Sequence, residues 1–130
     1  MSAARYAASQ DATASPRDIE IRVFRTVNGL LAASGGDVAA RASALHKVHR
    51  LWSILLSDLL DKRNGLPPGL KGSLVSLGLW AQRESLARMS DSDSLQPLIA
   101  LHRDLIEGLE AQDRSGPAMA PGIRRGAYSA

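Results

Sequence analysis

The chain contains no cysteine. That absence excludes disulfides, thiol catalysis and cysteine-ligated zinc, and it fits a reducing compartment. Aromatic residues make up only 4% of the sequence. A core must therefore be built from Leu, Ile, Val and Ala, a mixture that favours helices over sheets. Long apolar runs are also missing. The densest stretch, Leu51 to Leu60, is broken by Ser53, Ser57 and Asp58, well short of the ~20 apolar residues that span a bilayer. Met1 to Gln10 is rich in Ala and Ser and lacks the continuous apolar segment of a secretory signal. A cytoplasmic protein is expected.

Charge of one sign is not concentrated anywhere. Lys and Arg number 16 against 13 Asp and Glu, for a net charge of +3 and a pI near 9.8. The densest basic group, Arg41, Lys47, Arg50, Lys62 and Arg63, is interleaved with apolar positions. It reads as a solvated helix face, whereas a nucleic-acid surface needs a basic cluster on one side.

Catalytic patterns are absent too. Neither G-x-S-x-G nor H-E-x-x-H occurs. His46 and His49 lie three apart, with His102 the only other histidine, too few ligand types for a zinc site. His46 and His49 read as two surface histidines beside Lys47 and Arg50. Ser34-Gly35-Gly36-Asp37 precedes a helix but lacks the Lys-Ser/Thr ending of a phosphate loop, so it reads as a linker. Glu84, Glu107 and Glu110 stand singly, and no acid–base pair is inferred. No catalytic residue, metal ligand set or cofactor is expected, and the chain is read as a non-enzyme. A helix-turn-helix reader of DNA is disfavoured as well. The segment Pro67-Pro68-Gly69-Leu70-Lys71-Gly72 would open the reading helix with one charged residue, where polar side chains are needed to reach base edges.

What remains is helical periodicity. The 130 residues suit one domain. Residues 1–14 read as a flexible segment, residues 15–111 as a helical domain and residues 112–130 as a disordered tail. The first helix is expected from Pro16 to about Ala33, with Ser15 as N-cap and Ile19, Val23, Val27, Leu30 and Leu31 as its apolar stripe, Phe24 at the edge. Gly35 and Gly36 end it. The second runs from near Asp37 to Asp61, with Leu45, Val48, Trp52, Leu55 and Leu59 inward and His46, Arg50, Ser53 and Ser57 outward. Asn64-Gly65 is a stop signal. The third starts at Pro67-Pro68 with Leu70, Leu74, Leu77 and Ala81 as its stripe. Its Gly72 and Gly78 either allow a close helix approach or are simply tolerated. A polar linker, Ser90 to Ser94, leads to a fourth helix ending near Ala111, with Leu95, Leu98, Leu105 and Leu109 on one face. Four amphipathic helices with short connections imply an all-α four-helix bundle.

One ordered series carries more information than any motif. It comprises Ala44-Leu45, Leu51-Trp52, Leu55, Asp58-Leu59, Asn64, Leu66-Pro67, Leu70, Leu74, Ser76 to Trp80, Leu98-Ile99 and Glu107-Gly108-Leu109. It resembles the FlaF family of flagellar biosynthesis regulators over about residues 5 to 110, and Tyr6 with Thr13 to Glu20 resembles the family's opening. Val48 stands where the family leads one to expect Asn. The resemblance implies a chaperone-like protein without enzymatic activity. It would bind flagellin, promote flagellin synthesis and export, and act with the flagellin translation repressor FlbT.

Two other functions compete, a post-transcriptional regulator that binds nucleic acid and a structural adaptor subunit. Nucleic-acid binding would weaken steeply with salt, whereas an apolar docking surface would not. For that surface the sequence points to Leu51 and Ile54, because Leu51 to Leu60 holds more apolar residues than one stripe needs. Ile54 projects roughly 140° from the middle of the stripe. Trp80, off the main stripe of the third helix, is the further candidate. A helix buried on most sides would explain the same excess.

Overall fold

A computed structural model describes residues 16–115 of the chain. They form four helices: α1 Pro16–Ala33, α2 Val38–Leu60, α3 Pro68–Arg88 and α4 Gln96–Ser115. No strand occurs among the described residues. The all-α bundle is therefore the fold. The flexible segment 1–14 and most of the tail expected from Gln112 lie outside the described residues, but α4 itself runs on through Gln112 to Ser115, past the expected end at Ala111.

The helix ends follow local chemistry. Ser34 is buried and its Oγ donates to the Leu31 carbonyl at 2.8 Å. Gly35 takes a φ of +50°, which its missing Cβ makes cheap. Asp37 then caps α2 by accepting from the Ala40 N–H at 3.0 Å. At the other end of α2, Asn64 ties the connection together. Its Nδ2 donates to the Asp58 carbonyl at 3.1 Å and its Oδ1 accepts from the Leu66 N–H at 3.0 Å. Hydrogen bonds from the Arg63 side chain and backbone hold the Asp61 carboxyl below the usual carboxylate range.

The helices pack as two pairs, α2 with α3 and α1 with α4, joined along α1 and α2, while α3 and α4 barely touch. Central α2 buries Ala44, Leu45, Val48, Leu51, Trp52, Leu56 and Leu59. Val48, at the position where Asn was expected, is fully enclosed. Across from α2, α3 buries only Gly78, Ala81 and Ser85. These small side chains let the two helices approach closely. A Cβ on Gly78 would stand 2.8 Å from Leu56 Cδ2 and 2.9 Å from Trp52 Cε3, whereas one on Gly72 would meet nothing within 4 Å. The two glycines thus have different explanations. Leu77, placed on the inward stripe from its spacing, is 37% exposed.

The stripe of α1 is rotated from its expected position. Ile21, Phe24, Val27 and Leu31 are buried, Val23 is half-buried and Leu30 is exposed. Phe24 lies at the centre of the face because Trp52 of α2 and His102 of α4 pack against its ring.

At the end of the bundle where the α1–α2 and α3–α4 connections meet, Arg41 joins them. Its guanidinium donates to the Arg88 carbonyl at 3.2 Å and the Asp93 carbonyl at 2.7 Å, and lies 3.4 Å from Asp91 Oδ1. Arg88 pairs in turn with Asp91 and Asp93. The sequence placed Arg41 on a solvated basic face. The structure instead makes it a half-buried cap on the Arg88 carbonyl at the C-terminus of α3.

Candidate functional site: an apolar groove with an aromatic floor

The opposite end of the bundle is open. Because α3 and α4 diverge there, a cavity of about 410 Å³ reaches down to the core. Trp52, Leu55 and Leu59 of α2, Leu70 and Leu74 of α3 and Leu105 and Leu109 of α4 line it, with Phe24 of α1 and Leu66 of the connection. The charged groups among its lining residues are Glu20 and Asp58. Six of these leucines, at positions 55, 66, 70, 74, 105 and 109, are half-buried. Partly covered, with Leu55, Leu105 and Leu109 packed against the core on one side, they keep apolar surface for a partner to cover.

The floor of the groove is held by a chain of hydrogen bonds. Trp52 Nε1 lies 3.0 Å from His102 Nε2. An indole nitrogen can only donate, so Nε2 accepts and the proton of the neutral imidazole sits on Nδ1. That N–H donates to Asn28 Oδ1 at 2.9 Å. The Asn28 Nδ2 then donates to the Ile99 carbonyl at 2.9 Å. Phe24 packs over both rings, its centroid 5.9 Å from Trp52 and 5.5 Å from His102. His102 is completely buried. Desolvation pushes its pKa down to about 4, so it stays neutral at physiological pH.

None of the three residues singled out from sequence lines this groove. Leu51, expected on an exposed surface, is 6% exposed and belongs to the core. The arc of α2 covered by its neighbours reaches from Leu51 round to Leu56, which is wider than a single stripe. Ile54 is half-buried on the outer side of α2, and Trp80 is half-buried against the core. Conversely, Leu55, assigned to the core, is half-buried in the groove wall. Sequence reasoning missed Asn28 and His102. His102 carries a readable signal, since it falls on the stripe Leu95, Leu98, Leu105 and Leu109 at steps of three and four. Asn28 has no comparable signal. His46 is exposed and His49 half-buried. Among the described residues, no three His, Asp or Glu side chains gather as a metal site would require.

Together these features define a class: a small helical bundle with an apolar groove left open at one end. The family model described as "Flagellar protein FlaF" matches residues 2–109. The chain belongs to the FlaF family of flagellar proteins. Comparison with curated proteins and with solved structures gave no match. Among the described residues, no helix is long and apolar enough to cross a membrane.

Proposed function

We propose that this FlaF family member is a cytoplasmic, non-enzymatic, chaperone-like regulator that binds flagellin. It would promote flagellin synthesis and export and act together with the translation repressor FlbT. The observation supporting this reading is the groove. It is an apolar trough on the scale of a few side chains, set between two diverging helices, and fits the mode in which an amphipathic helix lays its apolar face between helices. The groove thus takes the role that Leu51, Ile54 and Trp80 were expected to play.

The test is flagellin binding by variants with a charge in the groove. Leu74→Asp should stay folded, because the side chain is only half-buried, and should weaken binding about tenfold or more, on the order of 1.4 kcal/mol. Leu79→Asp, at a position 45% exposed and outside the groove, should bind normally. A folded Leu74→Asp protein with undiminished affinity would exclude the groove. Loss of binding in Ile54→Asp instead would move the site to the outer face of α2.

A further inference from the structure

The aromatic floor of the groove poses a physical problem. Trp52 is 2% exposed and lines the cavity while carrying a polar N–H that must be satisfied away from water. Its acceptor is His102 Nε2, and a neutral imidazole has two interchangeable tautomers. In one, Nε2 accepts from Trp52. In the other, Nε2 carries a proton and two N–H groups face each other. Asn28 reinforces the choice that the donor-only Trp52 indole imposes. Its own Nδ2 is committed to the Ile99 carbonyl, so Oδ1 faces His102 and requires the proton on Nδ1. Asn28 and His102 do not line the groove, yet they determine how its floor is presented.

We infer that His102, with its ring held by Asn28, is a positioning residue for partner docking: it holds the Trp52 indole, and through ring packing Phe24, as a preformed floor for the incoming apolar side chains. This rests on the reading of the groove as the docking site. A preformed floor matters because a partner that had to order these rings on arrival would lose affinity to their immobilisation. Loosening either hydrogen bond leaves the lining composition unchanged but lets Trp52 turn.

The experiment uses the full chain carrying Trp80→Phe, which leaves Trp52 as the one indole of the original two. His102→Leu keeps apolar bulk and removes the acceptor. His102→Gln restores an acceptor at the same reach. Asn28→Ala leaves the histidine and its Trp52 partner but removes the acceptor that holds the Nδ1 proton and the ring in place. Each variant is checked for helicity, then read by Trp52 emission, by affinity for the neutral apolar probe N-phenyl-1-naphthylamine and by affinity for flagellin, at a temperature where it is fully folded. Expected are a shifted emission and about tenfold weaker binding of both ligands for His102→Leu and Asn28→Ala, with His102→Gln within about threefold of the parent. A merely structural role would lower the melting temperature but leave emission and affinity of the folded protein unchanged, and that result overturns the inference. If His102→Leu does not fold, Asn28→Ala decides alone, and parental probe affinity there is equally fatal. If the parent takes the probe, with variants in the expected order, but ignores flagellin, the flagellin reading fails while the role of His102 stands.

Discussion

At the scale of single residues, His102 dominates the pH response expected of the fold. In the unfolded chain an imidazole titrates near 6.5, whereas burial brings it down to about 4 in the native state. Between these values the unfolded chain binds more protons, so stability is complete above pH ~6.5 and falls as pH drops toward 4. The loss amounts to about 3 kcal/mol over that window, from 1.36 kcal/mol per pKa unit. Chemical denaturation at pH 7.5 and pH 4.5 should therefore show a clear drop for the parent and a smaller one for His102→Gln. Equal drops would mean that another group carries the acid sensitivity. The histidine could be placed on the apolar face of α4 from its spacing alone. Its hydrogen bonds could not, because Asn28 and Trp52 lie 74 and 50 residues away in sequence. Only the packing of three helices makes them neighbours.

At the scale of elements, α3 is the least regular helix. Its apolar residues are spread around it, with Leu79 and Leu86 45% and 54% exposed while Gly78 is buried. Periodicity reading works by finding a stripe of large side chains, so it puts Ala81 in line with Leu77, leaves Gly78 open between a close approach and mere tolerance, and misses Ser85. This is why the α2–α3 contact was not located in full from sequence even though the start of α3 was. The two glycines offer a paired test. Gly72→Ala, in open space, should stabilise the protein by up to about 1 kcal/mol through helix propensity. Gly78→Ala gains the same propensity but forces its methyl into Trp52 and Leu56, and should be net destabilising by about 1–3 kcal/mol. Melting temperatures moving in opposite directions would support this reading; two increases would mean that the rings give way easily.

At the scale of the whole molecule, the two ends of the bundle are built differently. One is closed by Arg41, which ties α2 to the last turn of α3 and to the connection before α4. The other is left open between α3 and α4. The closed end anchors helices that spread apart at the groove. Arg41→Met should keep the apolar stem but leave the Arg88 and Asp93 carbonyls without their donor. A cost of about 1–3 kcal/mol is expected, the usual scale for lost hydrogen bonds to a charged group. Thermal unfolding measures it, and no change in melting temperature would show that water replaces the guanidinium at no cost.

The sequence by itself determined the number and order of the helices, the limits of the first two closely, the all-α class and the resemblance that the match over residues 2–109 bears out. Those properties are local: caps, glycines, prolines and spacing act within a turn or two of the chain. Tertiary structure decided which faces meet. It turned α1 onto Phe24, buried Leu51, moved Leu55 from the core to a groove wall and converted Arg41 from a solvated charge into a cap. It also left the groove open, because the small face of α3 draws that helix onto α2 and away from α4. A stripe on one helix specifies that something apolar will cover it, but not which neighbour, and the fit of Gly78 against Trp52 and Leu56 is a property of two helices together.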